Sequence, residues 1–324
     1  MQRLKPIISM SPDLSIVIVN WNTCDLLRDC LDSLYTNQGH LILEIIVYDN
    51  ASQDGSVSMV REKFPQVKLL SSSENLGYAR ANNLAIPHCS SDLVLLLNPD
   101  TRVLEGSLEE LVQFLQSHPE AGAIGPKIVH PMMRLRVLSC GYQPTLRTTF
   151  NQYFFLSSVF PNIAAFRGVN LLMGPHDKVV QSVEWLSGAC LLVKKEVIER
   201  VGVFSENWFM YAEDMEFCQR ILDAGWKLYH IPTSIIEHYF GASTAKNQSV
   251  STMWVRSQRS YFIHRSKPSR LHLFLFDFIL SSGLATRSVL YYFRGKLGSR
   301  NQRSLWEIEA RRFAAYAGAV WRPS

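Results

Sequence analysis

Apolar residues in the first part of the chain come in short unbroken runs, and each run stops at a polar turn. Leu14–Val19, Leu43–Val47, Val67–Leu70 and Leu93–Leu97 have the length and composition of buried strands. Between them, apolar positions recur at helical spacing in Cys24–Tyr35, Ser56–Phe64, Tyr78–Ile86 and Ser107–Ser117, with Pro87 ending the third. This alternation predicts an α/β domain with a mostly parallel sheet covered by helices on both faces. Ligands of such sheets lie at the carboxyl ends of the strands. There the chain places Asn20-Trp21-Asn22, the turn from Asp49 to Ser56, and Asn98-Pro99-Asp100. Three strand ends offering Asn and Asp side chains suit a polar small molecule lying across one rim.

The pattern then changes twice. From Pro126 to about Val183 no period persists, which predicts a long surface excursion. Order returns with a strand at Trp185–Val193 and a helix at Lys195–Val201. A second helix fills the latter half of Trp208–Arg220, with Phe217, Cys218, Ile221 and Leu222 on one face and Gly225 as its stop. Near the end, the apolar stretch Leu271–Phe293 is interrupted by His272, Asp277 and Arg287. That interruption predicts one or two helices lying on a bilayer surface rather than a span. Residues 13–245 are therefore read as one domain and 246–324 as a helical, basic and aromatic extension.

Composition sharpens the picture in three ways. With 324 residues, 47% of them hydrophobic, the chain holds ample material for a core and is not disordered. The formal charge of +5 is concentrated between Arg256 and Arg322, which suggests an anionic surface as partner. Six cysteines without a C-x-x-C pair read as buried reduced thiols, and Met1–Pro12 lacks the apolar core of a signal peptide. The expectation is a cytoplasmic protein, with peripheral attachment to the cytoplasmic face of the inner membrane through its tail.

Each polar cluster has a structural and a chemical reading. Asp49 and Asp54 suit turn or helix caps, but Asp49 also ends a strand where its carboxylate could accept an imide N–H. Asn75, Gly77 and Asn82 make an ordinary loop-to-helix junction or a close backbone approach to a ligand. Asp100 closes a good turn sequence, yet a carboxylate there could also hold a hard divalent cation whose remaining ligands are phosphates and water. Glu213 and Asp214 fit the first turn of a helix; set among Trp208, Phe209 and Tyr211, one of them could also act as general base. His238 ends an apolar strand as the earlier acids do, and beside a cation it becomes a reasonable extra ligand.

Together these pieces resemble family 2 glycosyltransferases, in particular the bacterial rhamnosyltransferase-like group. The matching segments are Val17–Asn22, Asp49–Ser56, Asn75–Tyr78 with Asn82-Asn83, Leu97–Asp100, Trp185–Ala189, Glu213–Phe217 and His238, in family order over roughly Leu14 to Gly241. The resemblance implies a GT-A fold, a nucleotide-diphosphate sugar donor (UDP- or dTDP-linked), a Mg²⁺ or Mn²⁺ ion and inversion at the anomeric carbon. It implies further that Asn20, Asp49, Asp54, Asn75, Gly77, Asn82 and Asp100 line the nucleotide-sugar pocket. Asp100 and His238 would bind the metal, and Asp214 would be the base. Trp185, Ser187, Gly188 and Glu213 would shape the sugar and acceptor pocket, with Trp185 either stacking on a sugar or filling the core. Asn98 stands where many members carry a second metal-binding carboxylate. The expected partners are the donor, a glycan or lipid-linked acceptor and an anionic membrane surface, with no nucleic acid. A sugar-1-phosphate nucleotidyltransferase would share the sheet but needs a Gly-rich basic loop where Asn20-Trp21-Asn22 stands. The near-complete acidic set argues against a degenerate scaffold.

Overall fold

A computed structural model of the chain describes residues 11–131, 139–171, 178–239, 252–297 and 300–322. The expected domain boundary at 245/246 and Gly241 lie outside the described residues. The strands are β1 (Leu14–Asn20), β2 (Leu43–Asn50), β3 (Lys68–Ser72), β4 (Leu93–Leu97), β5 (Thr101–Val103), β6 (Ala121–Val129), β7 (Cys140–Gly141), β8 (Gln181–Val183), β9 (Trp185–Leu186), β10 (Cys190–Lys194) and β11 (Lys227–His238). The main sheet runs β3-β2-β1-β4-β10-β6-β11-β5, with β8 added on β11. Pairings among β3, β2, β1 and β4 are all parallel, as the alternating pattern requires. Beyond β4 the sheet is mixed: β10 is antiparallel to both of its neighbours, β11 is parallel to β6, and β5 and β8 are antiparallel to β11. The second half has no regular strand-helix alternation to enforce one direction.

The unbroken apolar runs follow from helices covering both faces. In β4, Leu93, Leu95 and Leu97 enter one core with Leu27, Leu31, Leu108 and Leu111, while Val94 and Leu96 enter the other with Ala81, Ala85, Phe217 and Ile221. Successive residues of a strand point to opposite faces, so a strand with no wet face carries no polar position. The predicted run Trp185–Val193 is broken by the structure at Ser187-Gly188-Ala189: β9 leaves to pair with β7, and β10 joins the main sheet.

Among the described residues the tail forms three helices, Met253–Ser266, Arg270–Leu297 and Arg300–Ala319. The stretch expected to give one or two surface helices is one helix of 28 residues, long and apolar enough to cross a membrane by length and composition. In this fold it packs on the rest of the chain. Phe276, Leu280 and Leu284 are buried against Tyr153, Val255, Phe262 and Val320, and the Phe276 ring stacks on Phe262 at 3.8 Å. Two polar groups that interrupt the stretch are engaged by protein: Asp277 takes both prongs of Arg259 at 2.8 and 2.9 Å, and Arg287 donates to the Gln152 carbonyl at 2.7 Å.

Gly283 marks the closest approach, since a Cβ there would lie 2.3 Å from Tyr153 Cβ. In an open helix Gly→Ala gains about 1 kcal/mol. Here overpacking reverses the sign: Gly283→Ala is expected to lower stability by about 1–3 kcal/mol, read as a fall in thermal midpoint. A higher midpoint would mean that the helix does not dock where the structure places it.

Candidate active site

The rim begins where β1 and β2 end side by side, with Asn20 opposite Asp49 in the register. Asn20 is fully buried; its amide nitrogen donates to Asp49 Oδ1 at 2.9 Å and to Ser52 Oγ at 3.0 Å, and its oxygen accepts from Thr23 Oγ1 at 2.7 Å. Asp49 Oδ2 accepts the Ser52 N–H at 2.9 Å. This network fixes the floor of the corner and turns the chain without a glycine, at Ala51 with φ 65°. Asp54 sits at its edge with both oxygens engaged by the starts of two helices: Oδ2 accepts from Cys24 N at 2.7 Å, and Oδ1 from Ser56 N at 3.2 Å and Ser56 Oγ at 2.5 Å. Burial pushes the Asp54 carboxyl up, but those hydrogen bonds outweigh it and hold the group below the usual range. Its position is that of a shared cap for the helices Cys24–Thr36 and Ser56–Lys63, neither of which has a side-chain cap from its own preceding residue.

The next wall is the turn into helix Tyr78–Ala85. Asn50, buried beside Asp49, accepts the Leu76 N–H at 2.8 Å and donates to Asn75 Oδ1 at 2.8 Å. Asn75 in turn accepts the Gly77 N–H at 3.0 Å. Gly77 has φ 81°, and a Cβ on it would lie 2.9 Å from both the carbonyl oxygen and the ring of Phe209, so the turn requires glycine on both counts. Asn82 is turned into its own helix, donating to the Tyr78 carbonyl at 2.9 Å. Its neighbour Asn83 grips the Phe204 backbone in both directions at 2.9 Å.

The acid pair opens helix Glu213–Asp223 behind two left-handed residues that are not glycine, Tyr211 at φ 68° and Ala212 at φ 84°. Each such residue costs of order 1–3 kcal/mol, and strain of this kind concentrates at functional sites. Asp214 is partly exposed; its Oδ2 accepts the Gly188 N–H at 3.1 Å and its Oδ1 the Met215 N–H at 2.8 Å. Glu213 is buried, with Oε2 lacking any hydrogen-bond partner. Burial raises the pKa of both, and the charge of Asp214 raises Glu213 further, whereas the Gly188 and Met215 amides favour ionised Asp214. Of the two adjacent carboxyls, Asp214 is the partly exposed one and the one that backbone N–H groups hold, which favours its ionised form.

Gly188 belongs to the break between β9 and β10. Its carbonyl accepts the Tyr78 hydroxyl at 2.7 Å while its N–H holds Asp214, and a Cβ on it would meet Tyr78 Oη at 2.6 Å. Ser187 shapes the same turn, its Oγ accepting the Ala189 N–H at 3.2 Å. Trp185 occupies the core, 7% exposed, with Nε1 donating to the Val169 carbonyl at 2.8 Å, so no free indole face is presented to a sugar.

Asp100 and His238 meet because β5 crosses to the far edge of the sheet and pairs Thr101 with His238. Both are buried, and His238 Nε2 lies 2.9 Å from Asp100 Oδ1 and 3.4 Å from the Asn98 amide nitrogen. One carboxylate and one imidazole form a donor set that fits a hard or borderline divalent cation completed by phosphate oxygens and water. Among the described residues no group of three or more His, Cys, Asp and Glu is placed to hold a metal ion. Asn50, Ser52, Tyr78 and Asn83 lie in the segments that carry the family resemblance but were not among the expected site residues. Their roles are hydrogen bonds to backbone groups distant in sequence, which no local pattern announces.

Comparison with known proteins agrees with this geometry. The model for "Glycosyl transferase family 2" matches residues 15–169, and that for "Glycosyl transferase family group 2" matches residues 93–306. The chain is 29% identical over 283 residues to an N-acetylglucosaminyl-diphospho-decaprenol L-rhamnosyltransferase of Mycobacterium tuberculosis, covering 83% of this chain and 89% of the relative. It is 24% identical over 233 residues to a rhamnosyltransferase of Escherichia coli strain K12, covering 69% of this chain and 82% of that one. Among solved structures, a mannosyltransferase of Pyrobaculum calidifontis in complex with GDP-Man and Mn²⁺ superposes with TM-score 0.57 at 18% identity, over 96% of this chain and 86% of the other. S. aureus TarS 1-349 does so with TM-score 0.51 at 14% identity, over 95% and 87%. The second family model, spanning 214 residues from the fourth strand into the tail, and the first, beginning in β1, together make the chain a family 2 glycosyltransferase with a GT-A fold.

Proposed function

We propose that this glycosyltransferase moves a sugar, rhamnose by likeness to its relatives, from a nucleotide-diphosphate donor to a hydroxyl of a lipid-linked glycan, with inversion. The single observation that carries the mechanism is Asp214: partly exposed, and aimed by two backbone amides at the head of a strained helix. The acceptor hydroxyl attacks the anomeric carbon, its proton passes to Asp214, and the bond from that carbon to the diphosphate oxygen breaks on the opposite face. One displacement gives inversion. Asn20, Asp49 and Asn75 build the corner for the nucleoside, and Gly77 lets the backbone pass close to it. Asp100 and His238 would hold a divalent cation, which when bound neutralises charge on the departing diphosphate. Buried Glu213, kept as the neutral acid, leaves only one negative charge beside the sugar.

The lipid-linked acceptor draws on the name of the mycobacterial relative and on the tail. Leu271, Phe274, Leu275 and Phe278 are exposed along one face of helix Arg270–Leu297, and Trp321 stands half-exposed 5.9 Å from the Phe274 ring. Such a face suits the boundary between headgroups and acyl chains on the cytoplasmic side of a membrane. Of the basic residues expected to meet headgroups, Arg287 is instead turned into the protein, over the Phe155 ring at 4.5 Å. Arg265, Lys267 and Arg270 remain exposed at the start of the face, and the side chain of Arg300 lies outside the described residues.

Asp214→Asn is expected to cost about 10²–10⁴ in kcat while leaving donor affinity within about twofold. Because burial raises the carboxyl, the wild-type rate should rise with pH through a value above the ordinary Asp value of about 3.9, and the variant should lose that limb. Wild-type turnover in the variant would reduce Asp214 to a helix cap. For the metal, chelation should stop transfer. Asp100→Ala should weaken nucleoside-diphosphate binding far more than nucleoside binding, with His238→Ala milder; equal losses for both ligands would point to misfolding instead. For the tail, cosedimentation with anionic vesicles should fall at least severalfold in Phe274→Ser/Phe278→Ser, and unchanged sedimentation would leave the face without a membrane role.

A further inference from the structure

A cationic cleft lies between the acid pair and the apolar face. Arg256, Arg259, Ser260, Ile263, Ala319 and Arg322 line about 260 Å³, several times the roughly 30 Å³ a water occupies. The first four fall at i, i+3, i+4 and i+7 on one face of helix Met253–Ser266, and the last two close the cleft from the end of the final helix. Arg259 is held rigid by its two-pronged bond to Asp277, which neutralises one charge and leaves the rest of the fork free. Among the described residues, neither Arg256 nor Arg322 has an ion-pair partner, so the cleft carries about two uncompensated positive charges.

Its two ends differ. At one end Ser260 Oγ accepts Trp208 Nε1 at 3.3 Å and Ser257 Oγ donates to the Met210 carbonyl at 3.1 Å, so the same helix carries the segment that runs into Glu213 and Asp214. At the other end Arg322 adjoins Trp321, whose ring meets Phe274 and so the apolar face. Sugar-facing acid, paired guanidinium groups and lipid-facing rings follow one another in the order of a sugar, a diphosphate and a polyprenyl chain. Arginine forks match phosphate oxygens in pairs, which a lysine point charge does not.

We infer that Arg256, Arg259 and Arg322 bind the diphosphate of a polyprenyl-diphosphate-linked acceptor, its chain lying on the Phe274–Trp321 face and its sugar toward Asp214. This rests on the lipid-linked reading above and assigns it a site.

The full chain, with chelator present so that Asp100 and His238 hold no cation, is tested against phosphatidylcholine vesicles doped with polyprenyl diphosphate. The comparison vesicles carry phosphatidylglycerol at equal surface charge. Wild type should bind the diphosphate vesicles at least about tenfold more tightly, and Arg256→Gln/Arg322→Gln should lose about 10–100-fold and the preference with it, as expected for two lost charge-assisted contacts. Both side chains are exposed, so an unchanged thermal midpoint should accompany that loss. Inorganic diphosphate, titrated separately, tells the failures apart. If the double variant loses only that binding and wild type shows no preference for the lipid, the cleft takes free diphosphate and the lipid-linked reading is overturned. If the double variant matches wild type with both probes, the cleft assignment is overturned.

Discussion

One residue, Gly188, ties the two halves of this molecule together beside the acid pair. The Gly188 carbonyl accepts from Tyr78, which belongs to the parallel half, and its N–H donates to Asp214, which belongs to a helix on the mixed half. Burial raises the pKa of the Tyr78 hydroxyl well above its ordinary value, so it stays a donor. The contact distances leave no room for a side chain at position 188. The position of Asp214 therefore depends on a turn that exists only because the run Trp185–Val193 breaks there.

The rest of the rim obeys the same logic of backbone groups held by buried amides. Asn50 and Asn83 each donate to a backbone carbonyl and accept a backbone N–H at once, which lets one side chain fix a turn on both sides, while Asn20 ties the Asp49, Ser52 and Thr23 side chains together. Buried networks of this type are stable only when fully satisfied, and a satisfied network is rigid. Glu213 Oε2 is an exception, and an acid held neutral by burial tolerates it better than a carboxylate would.

The tail shares in this architecture rather than hanging from it. Tyr261 donates to Gln143 Oε1 at 2.6 Å, and Trp208 packs edge-on against Tyr261 and His264. Helix Met253–Ser266 thus touches both the excursion after β6 and the approach to the acid pair, while Arg259 joins it to helix Arg270–Leu297 through Asp277. An acceptor drawn from a membrane would meet the apolar face, the guanidinium groups and the acid pair on contiguous elements.

Local pattern alone determined the parallel half of the fold, because strands buried on both faces have to be apolar at every position and the helices between them have to be amphipathic. It also made the candidate site residues legible: Asn20, Asp49, Asp100 and His238 stand at the ends of predicted strands and Asp214 at the start of a predicted helix. What it left open was decided by contacts distant in sequence. The end of β6, from Pro126 on, and helix Leu146–Tyr153 fell in a stretch without period, since their faces are set by the partners they meet and not by a wet and a dry side. The pairing of Thr101 with His238, which brings Asp100 to the imidazole, is a register between strands more than a hundred residues apart. Trp185 and Asp54 show the limit most plainly. The same residue types could have faced a ligand, and only the packing of Val169 against one and of two helix starts against the other gave the indole to the core and the carboxylate to the backbone.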